Sequence, residues 1–349
     1  MDYPTSFGQF QSWFRADEDC RDYLAWLRWP QGYRCPSCCA IRDVWELSDG
    51  RIMCVGCGRR SSVTAGTIFH RTRTPLTVWF AVAWLFATNP SGVSALAVQR
   101  SLEIGSYQTA WSLLHRLRSV AVRPGRDRLA GEVEVDETYV GGVAKDGTMG
   151  RGSSDKALVA IAVEADAIGG HIGRCRLATL NDASQASLGT FLRDYVERGT
   201  VVRTDGWKGY GHVARLGYVH QPHSQRSARS EGRKDAHALL PAAHRVASLL
   251  KRWLLGTHQG SVSHEHLQAY LHEFAFRFNR RRASHRGLLF YRLLEHAVRH
   301  EPLPHRDLIA TPRPKSTMPT PTNARGRPPS LERPAAHRPW RQRAQTRSA

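Results

Sequence analysis

Apolar residues recur along this chain with two different periods, and the changes of period divide it. Phe7, Phe10, Trp13 and Phe14 fall three or four residues apart, which predicts a helix over residues 7–28, closed by Arg28, Trp29 and Pro30. The run LTVWFAVAWLFAT after Pro75 is apolar on all sides and has the length of a buried helix, over 75–89. Two further helical patterns, Ser94–Leu102 and Ser106–Val120, are joined by a turn at Glu103–Gly105. Beyond a polar linker at 121–130 the period becomes two. Val133, Glu134, Val135 and Asp136 alternate apolar and charged, as a half-buried strand does. Strands are predicted over 131–138, 157–165, 172–180 and 200–205, with a helix over 184–198 and a short strand near Gly217–His220. Helices from about 239 to 255 and from 263 to 281 follow.

Two of these strands end alike. Asp136 leads into Thr138, Tyr139 and the pair Gly141-Gly142, and Asp205 leads into GWKGYG. A carboxylate at a strand end, with a glycine-rich turn behind it, projects where α/β sheets bind substrates. Three strands, a helix, a strand and a helix is the order of a ribonuclease H-like mixed sheet, in which the first and fourth strands are neighbours. That α/β fold sets Asp136 beside Asp205. Two like charges so placed call for a cation, and carboxylates suit Mg²⁺ or Mn²⁺.

Cysteine spacing adds a second metal. Cys35 and Cys38 form one C-x2-C knuckle and Cys54 and Cys57 another, with fifteen residues between. Each two-residue spacer lets both thiolates of a pair bend onto one ion, which predicts a tetrahedral zinc ribbon over 31–62 with a hairpin turn at Asp49-Gly50. Cys20, Cys39 and Cys175 are read as core thiols.

The 349 residues carry a net charge of +20 and a sequence pI of about 10.4, which favours a polyanionic partner, nucleic acid first. Residues 302–349 are rich in Pro, Arg and Ser and too poor in apolar side chains to bury a core, so they are expected to form a disordered basic tail. The longest apolar run, Val78–Ala87, is too short to span a bilayer, and MDYPTSFGQF lacks the marks of a signal peptide. A cytoplasmic, nucleoid-associated protein without membrane contact is expected. The paired helices over 75–122 have a helix-turn-helix layout whose second member carries Gln108, Thr109, His115, Arg116 and Arg118, candidates for contact with double-stranded DNA.

The run CRDYLAWLRWPQGYRCPSC, the helix pair, VEVDETYVGG, RTDGWKGY and SLLKRWLLGTHQGSVSHEHLQAYLHEFAFRFNRR together resemble a bacterial insertion-sequence transposase. The group is the zinc-ribbon, ISXO-type DDE transposases, family fifteen-ninety-five, and the resemblance runs from about Phe7 to Val298. It implies an N-terminal helical segment (1–30), the zinc ribbon, the helix pair and a catalytic domain over 130–300. The implied activity is metal-dependent DNA cleavage and strand transfer at terminal inverted repeats, by a protein that oligomerises on DNA. Asp136 and Asp205 match the family's two catalytic aspartates. His244 falls where such families place Glu, Asn or, in some branches, His, and Lys251 matches a basic residue two turns later. With Asp136 and Asp205, His244 would complete the Mg²⁺ or Mn²⁺ site, and a single imidazole nitrogen in place of a carboxylate favours manganese. Glu231 is the nearest acidic rival to His244. The alternative function is a zinc-ribbon and helix-turn-helix regulator derived from an inactive transposase.

Overall fold

The computed structural model describes residues 2–39, 41, 44–123, 125–141, 156–165, 172–223, 239–260 and 262–309. Gly142, Glu231 and the tail from residue 310 onward, all of which figured in the sequence reading, lie outside the described residues. By contacts the chain divides into two units: Met1–Asn89, Ala95–Val120 and the chain from Ser284 onward form one, and Pro90–Ser94 with Ala121–Ala283 form the other.

The first unit is helical and carries the ribbon. The helix expected over 7–28 is two, Phe7–Trp13 and Asp17–Arg28. The break is made by Asp19, whose Oδ2 accepts the N–H of Arg15 (3.0 Å) and of Ala16 (2.9 Å) and so caps the second helix. The apolar run forms the helix Leu76–Thr88, buried as its composition demands, and the pair that follows is Ala95–Ser101 and Tyr107–Val120. The helix Gly287–Ala297 belongs here too. Its Phe290 is fully buried, with ring centroids 5.6 Å from Phe10, 5.7 Å from Phe80 and 5.6 Å from Trp84. The expected domain end at residue 300 therefore moves back to about Ala283, because the apolar face of this helix is covered by the N-terminal aromatics. Residues 302–309 are anchored to the unit at a few points, against the expectation of a tail from Pro302, although most of them are exposed. Leu303 O accepts Arg116 Nε at 2.9 Å, His305 Nδ1 lies 2.9 Å from Ser112 Oγ, and Leu308 is buried in the short helix His305–Ile309.

The second unit is a five-stranded mixed sheet between two helical layers. Strands β4 (Glu132–Val140), β5 (Ala157–Ala165) and β6 (Ile172–Leu180) form an antiparallel meander, and β7 (Val201–Thr204) and β8 (Val219–Pro222) run parallel to β4 on its other side, in the order β6-β5-β4-β7-β8. The alternation of β5 feeds both cores at once. Val159, Ile161 and Val163 pack with Val246, Leu250 and Phe274 of the helices Pro241–His258 and His264–Phe278. Ala160 and Ala162 face the other way, with Leu188 and Leu192 of the helix Gln185–Tyr195. A strand covered on both sides needs apolar residues throughout, and ALVAIAVEA supplies them. Truncating Leu250, which is fully buried, would cost about 2–5 kcal/mol by lost transfer energy and cavity formation.

Candidate functional site

Strands β4 and β7 pair in parallel with Glu132 opposite Val201, Val133 opposite Val202 and Glu134 opposite Arg203. Carrying that register two residues further sets Asp136, in the middle of β4, level with Asp205, the first residue beyond β7. The turn after β7 fixes the second aspartate. Asp205 Oδ1 accepts the N–H of Trp207 at 2.9 Å, and Gly206 between them has φ +80°, a conformation that favours glycine. Gly209 is required for a different reason: a Cβ there would stand 2.6 Å from Ala183 O.

The helix Pro241–His258 brings the third residue. His244 Nε2 lies 3.4 Å from Asp136 Oδ2, with both side chains partly exposed. Lys251, seven residues on, lies on the same face of the helix and is exposed. Tyr210 packs with Val133 and Val135 of β4. Its hydroxyl donates to Glu137 Oε2 at 2.7 Å. Burial raises the pKa of this phenol well above the usual tyrosine value, and the charges of Glu137, Asp136 and Asp205 push it the same way. The phenol is thus neutral, and it senses three acidic groups, two in the middle of β4 and one just beyond β7.

Glu134 also belongs to this corner, and its place was not foreseen from the sequence. It is buried (1 % exposed), its Oε1 accepts Arg203 Nη2 at 2.9 Å, and its Oε2 accepts the N–H groups of Ala242 (2.8 Å) and Ala243 (2.9 Å). The available sequence signal was a charged residue in the middle of a strand covered on both faces, where a carboxylate must find donors.

Two carboxylates and an imidazole on one partly open edge are the donor set of a hard or borderline divalent ion. Among the described residues, only the four cysteines bring three or more such ligand atoms within 4.8 Å of one another, so Asp136, Asp205 and His244 are set more widely than a closed single-ion cluster.

The ribbon cysteines are assembled where the spacing put them. Cys35 Sγ is 3.6 Å from Cys57 Sγ and Cys38 Sγ is 3.8 Å from Cys54 Sγ, against the roughly 3.8 Å edge of a tetrahedron with Zn–S bonds of about 2.3 Å. The strands β1 (Val44–Glu46), β2 (Ile52–Cys54) and β3 (Arg60–Ser61) hold them, with Gly50 turning the hairpin at φ +74°. Backbone N–H groups of Cys38 and Ser37 pull the Cys35 thiol down to about 6, which favours the ligating thiolate. Cys20 and Cys175 are buried thiols as expected, whereas Cys39 is exposed beside the knuckle with φ +58°, outside the core. The cluster fits one structural zinc per chain. Replacing Cys38 and Cys57 together with serine is expected to remove that zinc, read by elemental analysis of the purified protein; full zinc content in the variant overturns the assignment.

The structure sorts the candidate DNA contacts in the helix Tyr107–Val120. Gln108 and Thr109 stand at its start, exposed and half-exposed, and Arg116 is half-buried. His115 (4 % exposed) and Arg118 (1 %) are inside the unit, the former stacked on Trp111 with centroids 3.9 Å apart. Those two cannot present themselves to a duplex: at residues 115 and 118 the helix turns its packed face, which the mixed polarity of the sequence concealed. Gln108, Thr109 and Arg116 instead border a cleft of about 350 Å³ with His70, Arg71 and Arg73, and no residue lining it is acidic. The loop bearing these arginines is tied by Thr72 Oγ1, which accepts Thr74 N at 3.1 Å and Trp79 Nε1 at 2.9 Å. Among the described residues no helix is long and apolar enough to cross a membrane.

Residues 128–279 match the family described as the ISXO2-like transposase domain, and residues 15–60 match the transposase zinc-ribbon domain. A protein from Halobacterium salinarum, described as an uncharacterized protein in transposable element ISH50, is 26 % identical over 279 residues, covering 76 % of this chain and 91 % of that relative.

Proposed function

Because this chain belongs to the IS1595-type zinc-ribbon transposases, we propose that it cleaves DNA at the ends of an insertion sequence and joins the freed ends to a target by metal-dependent phosphoryl transfer. The observation that supports the reading best is His244 lying 3.4 Å from Asp136, together with the β4–β7 register that runs toward Asp205. The strand order, with β4 between an antiparallel β5 and a parallel β7, supports a ribonuclease H-like arrangement for the sheet. Asp136, Asp205 and His244 would hold two Mg²⁺ or Mn²⁺ ions, which when bound activate a water or a DNA 3′-hydroxyl and stabilise the leaving oxygen. Lys251, exposed on the same helix face, binds a phosphate of the DNA end and orients the scissile bond. Alternation along β4 turns Glu137 to the face on which Tyr210 binds it, whereas Asp136 faces His244.

Double-stranded DNA is also the partner that suits the cleft beside Gln108 and Thr109. Arg71 and Arg73 take backbone phosphates, and the two polar side chains at the helix start reach base edges. Replacing both arginines with alanine is expected to lower the slope of log K against log salt by about 2, since each phosphate contact contributes about 0.9. Discrimination between terminal repeats and random duplex should survive, because phosphate contacts carry no sequence information. Fluorescence anisotropy between about 50 and 200 mM salt reads both quantities; an unchanged slope removes the two arginines from the DNA surface. Residues 310–349 carry nine Lys or Arg against one Glu, so a chain ending at Ile309 should bind random DNA more weakly while keeping its preference for the repeats.

The function itself is tested by incubating the full chain with duplexes ending in the element's own terminal repeats and Mn²⁺ or Mg²⁺. Nicked and strand-joined products are expected, and their absence with both metals defeats the proposal.

A further inference from the structure

We infer that Glu134 is a positioning residue, a buried carboxylate that locks the three chain segments bearing Asp136, Asp205 and His244 into one frame. The inference rests on the reading of those three residues as the metal-holding set.

The helix Pro241–His258 begins without a cap of its own. Its N-cap residue is Leu240, which has no side-chain acceptor, and its first turn contains no acid. Pro241 has no N–H, so the amides of Ala242 and Ala243 are the first donors of the helix. Both are satisfied from another element, by Glu134 Oε2. A negative charge at a helix N-terminus is favourable, and charge-assisted bonds of 2.8–2.9 Å lie at the strong end of the range. The other oxygen, Oε1, takes Arg203 of β7.

The chain offsets give these bonds their meaning. Asp136 is two residues beyond Glu134 on the same face of β4. Asp205 is two residues beyond Arg203. His244 directly follows Ala243. Each candidate ligand is therefore within two residues of a group that Glu134 holds, and no other carboxylate among the described residues is shown bridging β4, β7 and this helix. The helix N-terminus can approach the strand only as far as Glu134 lets it, and that approach sets the distance between His244 and Asp136.

Glutamine is the informative replacement. Glu134→Gln keeps the volume but turns one acceptor oxygen into an NH₂ donor. That donor must face either Arg203 or the helix amides, so one arm of the bridge is lost whichever way the amide turns. In the full-length variant, hydrogen exchange in a peptide covering residues 240–250 should speed up at least about tenfold, and Mn²⁺ affinity measured calorimetrically should fall by about 10–100-fold, the usual effect of losing an outer-shell partner. Zinc content should stay at the wild-type value, and lost cleavage should return in part as Mn²⁺ is raised, since the ligands themselves remain. Wild-type exchange overturns the inference. Faster exchange with unchanged Mn²⁺ affinity also overturns it, reducing Glu134 to a helix cap.

Should Glu134→Gln not fold, Arg203→Lys tests the second arm with the cap intact. Weaker Mn²⁺ binding with unchanged exchange at residues 240–250 is expected, and unchanged Mn²⁺ binding overturns the bridge. The reading on which the inference rests fails separately: Asp136→Asn with wild-type Mn²⁺ affinity would remove the metal site, whereas the exchange measurement on Glu134→Gln needs no metal.

Discussion

Asp136→Asn and Asp205→Asn should each abolish strand cleavage and joining while leaving binding to the terminal repeats intact or slightly tighter. An amide keeps the shape of the side chain but removes one of the acidic charges that act on Tyr210. If each aspartate accounts for roughly 4 kcal/mol of transition-state stabilisation through the ions it holds, the rate falls about a thousandfold. DNA affinity moves the other way because the same change removes a negative charge near the phosphates. Single-turnover cleavage of a labelled repeat, paired with anisotropy on the same preparations, separates the two effects. Strand joining at a wild-type rate by either variant would show that the sheet edge is not the reacting centre.

The next largest effect is expected at His244. His244→Ala removes the imidazole 3.4 Å from Asp136, and activity should fall nearly as far as in Asp205→Asn. His244→Glu should keep activity and move the optimum from Mn²⁺ toward Mg²⁺, because a carboxylate is the harder donor. The ratio of initial rates in the two metals is the informative number. A His244→Ala protein that cleaves normally, alongside an inactive Glu231→Ala, would transfer the third ligand to Glu231.

The zinc ribbon was the most legible part of the chain because its determinants are local. Two C-x2-C pairs and a turn at Asp49-Gly50 state the site within 23 residues, Cys35 to Cys57. The sheet was legible for a related reason: alternation names strands, although Asp136 lies in the middle of β4, which runs on to Val140, and Asp205 follows the end of β7. Their pairing was not, since the neighbour relation of β4 and β7 is a property of topology. Glu134 was missed because its three donors sit 69 to 109 residues away. His115 and Arg118 misled in the opposite sense. Side-chain chemistry suggested DNA, whereas helix phase turned both into the packed interior. The fate of residues 284–309 was hidden because their amphipathic pattern says that a face is buried and leaves open which partner covers it.

That last arrangement sets an order of events on the ribosome. The sheet unit, Ala121–Ala283, is continuous apart from Pro90–Ser94 and has been synthesised in full before Phe290 is added. The helical unit waits: the rings of Phe10, Phe80 and Trp84 are translated early but meet Phe290 only when the last helices arrive. Removing so large a buried aromatic costs about 3–5 kcal/mol, a large share of the stability of a unit this size. A chain that ends before Phe290 thus has every residue of the sheet unit and an incomplete helical core. Fragments that stop short of Phe290 keep Asp136, Asp205 and His244 but lack the aromatic centre of the unit that carries the zinc ribbon.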